Sequence, residues 1–184
     1  MTAGIDRYWF FTWTTYGQWL PGDPRGSVTR VREPLRRHRF EHDTREEPRE
    51  PSIPGLYQSA KNLLVGPPVR LDLNHATALL EQFHETVAVR RWLLIAAAIM
   101  ANHIHAIVGV PGDPEPSDVL GDLKSYGSRR LNQSFVRPES GTWWTESGSK
   151  KKLADEMSLK DTVEYVRTQE FPLLIWINPI AETW

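Results

Sequence analysis

Cysteine is absent from the chain, which excludes disulfides and thiolate metal centres outright. No apolar run reaches the ~18 residues that a membrane-spanning helix needs, and the first residues carry no signal-peptide core. These absences set the expectation of a cytoplasmic protein with no membrane partner. An excess of either charge is also missing. With 22 basic and 23 acidic side chains the net charge is −1, which argues against a protein that coats nucleic acid indiscriminately. No internal repeat or low-complexity tract interrupts the chain. What is present is an ordinary globular mixture, 40% hydrophobic and 24% charged over 184 residues. That is enough for one sizeable core, so a single domain over 1–184 is expected. Eight tryptophans suit either packing or stacking on bases.

The neutral total hides an uneven distribution. From Arg25 to Phe40 there are six arginines (Arg25, Arg30, Arg32, Arg36, Arg37, Arg39) against one acid, Glu33. From Glu41 to Glu50 the balance reverses, with five acids against Arg45 and Arg49. Two readings fit this pattern: a solvated charged loop, or an arginine-rich arm for phosphate contacts.

"RYWFFTWTTY" (Arg7 to Tyr16) is dense in aromatic and β-branched residues and reads as a first strand. The stretch from about Gly17 to Pro68 is rich in proline and poor in apolar periodicity. It reads as a long irregular insertion, too long for an idle connection. Helical spacing then returns at Leu79, Leu80, Phe83 and Val87, with Asp72 or Asn74 as the cap. "WLLIAAAIM" and "HIHAIVGV" are apolar runs joined by Ala101-Asn102, the pattern of a tight β-hairpin. A second helix is expected from Ser117 as its cap, then a strand or short hairpin at "GTWWTESGSKKKL". Ser158 is expected to cap a third helix, limited by Pro172, and the tail "LLIWINPIAETW" is apolar enough to dock on the body. The order β-α-β-β-α-β plus one helix predicts an α+β, ferredoxin-like fold. Its antiparallel sheet carries helices on one face, with the extra helix C-terminal.

Side chains of a strand alternate faces, so His103 and His105 point the same way, about 7 Å apart at ~3.3 Å per residue. Ile104, Ala106 and Val108 point to a core behind them. Two neutral imidazoles on one face can share a divalent ion, each through one nitrogen lone pair. They can equally be two satisfied histidines on a half-exposed sheet. A metal site needs a further ligand and an open position. On the last helix Leu159, Val163 and Val166 form the buried stripe, and Tyr165 and Gln169, spaced i,i+4, lie along its flank. By themselves they also fit a boundary tyrosine with an exposed glutamine.

Taken together, "YWFFTWTTYGQWLPGDPRGS", "MANHIHAIV", "LKSYGSRRLN" and "EYVRTQE" resemble the single-tyrosine HUH transposases. The likeness is greatest to the REP-associated tyrosine transposases, relatives of the 200-type insertion-sequence enzymes. It runs from about Tyr8 to Gln169. It implies a metal-dependent single-stranded DNA endonuclease and strand transferase that works through a covalent 5′-phosphotyrosine intermediate. By position it makes His103, His105 and Gln169 the metal ligands and Tyr165 the nucleophile. It further implies Mg²⁺ or Mn²⁺, an RRM-like sheet, single-stranded or hairpin DNA as substrate, and a homodimer. The last helix could swap between protomers through the polar Gly148 to Glu156 connection.

Other residues qualify this picture. Tyr126 is a rival nucleophile, but position i+4 from it is Arg130 rather than glutamine. Lys124 lies near the apolar stripe of its helix and reads either as a phosphate contact or as a snorkelling rim residue. Arg129 and Arg130 are expected to face solvent or DNA. His38, His42, His75 and His84 have no partner at metal spacing and read as surface residues. Two readings from other classes stand beside the enzyme: a non-catalytic DNA- or RNA-binding module on the same sheet, and a histidine-metal hydrolase in which Tyr165 is incidental. A domesticated, transposase-derived protein is a further form of the resemblance. A covalent protein–DNA adduct separates the leading reading from the binding module and the hydrolase.

Overall fold

A computed structural model describes residues 4–23 and 53–183. Chain order is β1 (Arg7–Thr14), α1 (Pro54–Asn62), α2 (Leu73–Arg90), β2 (Leu93–Ile99), β3 (His103–Val110), α3 (Pro116–Ser134), β4 (Ser149–Leu153), α4 (Glu156–Arg167) and β5 (Leu174–Ile177), with a 3-10 helix at Pro179–Thr183. One sheet has the order β4-β1-β3-β2-β5, and every neighbouring pair is antiparallel. With α1 and β5 set aside, this is the α+β, ferredoxin-like arrangement that the sequence predicts. The tail expected only to dock supplies β5, an added edge strand beside β2.

Alternation along the central strands gives the sheet two apolar faces. On one, Phe11, Trp13, Ile104, Ala106 and Val108 pack with Leu79, Phe83 and Val87 of α2 and with Leu120, Leu123 and Leu131 of α3. Phe83, Leu79, Leu123 and Leu131 are fully buried, and each such side chain contributes about 1.5–3 kcal/mol of transfer free energy. The two helices approach closely at Gly127, where a Cβ would sit 3.0 Å from a Leu79 methyl. On the opposite face, Ala96, Ala98 and Ile107 pack under Leu159, Val163 and Val166 of α4. The stripe expected on that helix is therefore the buried one.

Helix ends differ in part from expectation. Asp72 caps α2 by accepting from His75 N at 3.0 Å, as expected. The cap of α4 is Asp155 rather than Ser158: Asp155 Oδ1 accepts from Ser158 N at 2.7 Å, and Ser158 Oγ accepts from Asp155 N in return. Ser158 is the third helical residue of a reciprocal box, not its cap. Likewise α3 starts at Pro116, whose fixed φ suits the first turn, and Ser117 makes no cap bond. Within the stretch read as irregular, 54–62 is helical, and 24–52 lies outside the described residues. Among the described residues no helix is long and apolar enough to cross a membrane.

Candidate active site

The hairpin turns at Ala101-Asn102, where Met100 N donates to His103 O at 2.9 Å. That turn starts β3 at His103 and sets its register. Thr12 of β1 stands opposite His105, Thr14 opposite His103, and Ala98 of β2 on the other side of His105. Directly paired residues share a face, so both histidines lie on the face covered by α4. Their rings lean together, with centroids 4.8 Å apart and planes at 84°. That is closer than the backbone spacing alone provides.

Each imidazole is held at Nδ1. His103 Nδ1 is 2.7 Å from Asn102 Oδ1. An amide oxygen only accepts, so His103 carries its proton on Nδ1 and keeps the Nε2 lone pair free. His105 Nδ1 is 2.8 Å from Thr12 Oγ1, a hydroxyl that suits either tautomer. Aromatic rings complete the support. Phe10 stacks on His105 at 5.5 Å and 18°, and Trp19 stacks on His103 at 5.6 Å and 26°. Burial lowers the affinity of both rings for a proton. His103 is shifted downward, and His105 falls to about 3, through burial first and the neighbouring His103 second. Both are neutral ligand-type imidazoles at pH 7.

The last helix brings Tyr165 to the pair. Its ring lies 5.5 Å from that of His105, edge-on at 76°, and 5.9 Å from that of Phe10. Half-buried Tyr165 sits at the flank of the α4 stripe, where the sequence placed it. Gln169 comes just after the C-cap Thr168. Its Nε2 donates to the Tyr165 carbonyl at 2.9 Å, which leaves Oε1 as an uncommitted hard donor. In this arrangement it makes no hydrogen bond to either imidazole.

These residues fit a divalent ion chemically. Two imidazole nitrogens and one amide oxygen would be a mixed N,O donor set with positions left for water and phosphate, and the bonds at Nδ1 are of the kind that supports a ligating histidine. Among the described residues no three His, Asp or Glu side chains gather as an alternative set.

The remaining candidates lie elsewhere. Tyr126 is on α3, beyond the other face of the sheet, with the guanidiniums of Arg129 and Arg90 over its ring at 5.0 and 6.0 Å. Arg130 is paired with Glu81 of α2 at 2.7 Å. Lys124 spends its ammonium on three backbone carbonyls, those of Thr145 (2.6 Å), Glu146 (3.0 Å) and Ser147 (3.2 Å). Burial, with Lys150 beside it, lowers its pKa to about 8. It lines a cleft of about 470 Å³ between α3 and the loop before β4, on the α3 side of the sheet. Arg25, Arg30, Arg32, Arg36 and Arg37 lie outside the described residues, as do His38 and His42. His75 closes the α2 cap, and His84 meets Trp176 edge-on at 4.5 Å.

Sequence reasoning missed Thr12, Asn102, Phe10 and Trp19. Alternation could have found Phe10 and Thr12 once the β1–β3 register was known. Hydrophobic periodicity did not point to Trp19, although it lies in the "GQWLPGDPRGS" stretch that helps to carry the resemblance.

Comparison with known proteins adds an independent line. Residues 69–169, just over half of the 184, match the family model described as "Transposase IS200 like". The match contains His103, His105 and Tyr165 and ends at Gln169. Among solved structures, a REP-associated tyrosine transposase bound to a REP hairpin aligns with 13% identity and a TM-score of 0.48. The alignment covers 88% of this chain and 64% of that one, so the chain spans less than two thirds of that protein's length. No curated protein matches the chain.

Proposed function

The chain belongs to the IS200-like transposase family, and from that premise we propose that it is a metal-dependent single-stranded DNA endonuclease and strand transferase whose nucleophile is Tyr165. The observation that carries the reading is the placement of the Tyr165 ring 5.5 Å from His105 on the face where the two histidines converge. His103, His105 and Gln169 are the ligands proposed for Mg²⁺ or Mn²⁺, which when bound would draw charge from a non-bridging phosphate oxygen.

The chain's own residues account for the rest. A phenol is a weak nucleophile until its proton is given up, and in this reading the Tyr165 proton leaves for solvent as the attack proceeds. Its oxygen attacks phosphorus in line, the P–O3′ bond breaks, and the departing oxygen takes a proton to become a free 3′-hydroxyl. The 5′-phosphate stays on the tyrosine. Because an ester replaces an ester, the bond is kept for rejoining to another 3′-hydroxyl, which separates strand transfer from hydrolysis. Neutral imidazoles add no proton donor that would quench the phenolate. The substrate proposed is single-stranded or hairpin DNA, with Arg25, Arg30, Arg32, Arg36 and Arg37 on its phosphates and Arg129 at the periphery. Cytoplasmic homodimers complete the proposal. Because 149–153 is strand β4, paired along β1, only 154–155 join the sheet to α4. An exchange of α4 would have to turn on that short link rather than on the whole 148–156 stretch.

Denaturing gels of end-labelled hairpin DNA with single-stranded flanks, in Mg²⁺ or Mn²⁺, test it. The wild type should give a covalent adduct, and Tyr165→Phe should lose it while still binding DNA. The His103→Ala/His105→Ala double variant should also lose it, whereas Tyr126→Phe should not. Binding without an adduct in the wild type would favour the non-catalytic module instead. Metal-dependent cleavage without an adduct would favour the hydrolase.

A further inference from the structure

Trp19 has φ = +48°, a left-handed conformation that bulky residues rarely adopt and that persists only where the surroundings impose it. Here they do so with polar contacts. Thr15, Gln18 and Asp23 are all buried. Thr15 N donates to Asn102 O at 2.9 Å, its hydroxyl donates to Val69 O at 2.7 Å, and Gln18 Nε2 reaches the same carbonyl at 3.4 Å. Tyr16 N donates to Trp143 O, and Val69 N to Tyr16 O, both at 2.9 Å. The turn carrying Trp19 is thereby fastened to the hairpin turn and to two distant segments. Asn102, which receives Thr15 N on its carbonyl, is also the residue that holds His103 Nδ1 through its side chain.

The two histidines need different support. His105 lies inside β3, buried, between Thr12 and Ala98, with Phe10 against its ring. His103 opens the strand at the hairpin mouth and is more exposed. Asn102 fixes one of its nitrogens, but a single hydrogen bond leaves the ring free to tilt. Trp19, stacked on the ring face, removes that freedom.

We infer that Trp19 is a positioning residue for His103, held in a strained turn so that both imidazoles present Nε2 in one fixed arrangement. The inference rests on the reading of the pair as metal ligands. Two variants of the full chain separate this role from simple packing. Trp19→Gly removes the indole and also suits the positive φ, so the backbone is relieved. Trp19→Phe keeps a ring that can stack.

The experiment measures Mn²⁺ affinity calorimetrically and, on metal-free protein, the His103 ring nitrogens by long-range ¹H–¹⁵N NMR. Trp19→Gly should weaken Mn²⁺ binding about 10- to 100-fold, the usual effect of losing outer support for a ligand, and Trp19→Phe less than about threefold. In Trp19→Gly the His103 ring, free to tilt off Asn102 Oδ1, should average between tautomers while the nitrogens of His105 stay unchanged. Wild-type affinity together with an unaltered His103 spectrum in Trp19→Gly would overturn the inference. Equal Mn²⁺ binding by wild type and His105→Ala would instead refute the ligand reading. In that event the His103 spectra still decide the positioning role: averaging in Trp19→Gly supports it, and no change overturns it.

Discussion

Acid should destabilise this fold through His105, and by an amount that the structure specifies. An unfolded histidine titrates near ~6.5, whereas burial and the nearby His103 lower His105 to about 3 in the native state. Between these values the unfolded chain binds a proton that the native chain refuses. Stability is therefore complete above pH 6.5 and falls as pH drops through the window, by about 1.4 kcal/mol per pH unit. At pH 5 the loss is about 2 kcal/mol, and it approaches about 5 kcal/mol near pH 3, before the native ring itself accepts the proton. His103 is shifted in the same direction and adds to the slope. His105 is only 5% exposed, so solvent screening takes little from these figures.

The assay is urea unfolding followed by tryptophan fluorescence at pH 7.5, 6, 5 and 4.5, with chelator present so that only protons are linked. The comparison is His105→Gln, whose amide can still meet Thr12 but does not titrate. The stability of the wild type relative to this variant should decline by about 2 kcal/mol between pH 7.5 and 5. A difference that stays flat across the series would show that His105 is not a buried, proton-refusing ring, and the neutral-ligand argument would fail with it.

Changing Arg25, Arg30 and Arg32 together to Gln should weaken hairpin-DNA binding and flatten its salt dependence by about 0.9 in log–log slope for each phosphate no longer neutralised; an unchanged slope would make the segment a solvated loop. Lys124→Met should cost about 1–3 kcal/mol in urea unfolding, because three carbonyls lose their donor, yet leave adduct yield at saturating DNA near wild type. If stability held and DNA affinity dropped instead, Lys124 would be a phosphate-binding residue after all.

The parts of this molecule that were legible in the sequence share a property: each depends on periodicity. His103 and His105 fall on one face because strands alternate. Leu159, Val163 and Val166 are buried because a helix repeats every 3.6 residues, and Tyr165 then lies beside them. The hairpin at Ala101-Asn102 follows from two apolar runs meeting at two residues. Periodicity says nothing about register or about turns. Thr12 becomes the partner of His105 only because β1 pairs with β3 at one offset among several. Asn102 turns its amide to His103 only in the geometry of this turn. The turn that holds Trp19 at its left-handed φ is fastened through Thr15, Tyr16 and Gln18 to Asn102, Val69 and Trp143, none of them near it in sequence. The misplaced caps have local causes: Asp155 and Ser158 form a reciprocal pair, and a pattern scan does not distinguish which member stands first, while at α3 Pro116 opens the helix and leaves Ser117 inside its first turn.

The alanines of β2 link the core to the chemistry. Ala96 and Ala98 point to the face that α4 covers, while Ala97 points to the other. Ala98 sits directly opposite His105, and Ile175 of β5 flanks it on the far side. Interhelical and helix–sheet distances are set by the side chains at the contact, and interiors leave no slack to absorb larger ones. With methyl groups on that strip, Val163 and Val166 settle close to the sheet and are buried against it. That depth brings the Tyr165 ring to 5.5 Å from His105. Larger residues at 96 and 98 would make an equally apolar strand but would lift α4 and its tyrosine away from the histidines. Ala96 and Ala98 in an otherwise bulky strand are therefore a statement about distance: they fix how near the helix carrying Tyr165 can lie to the pair of imidazoles.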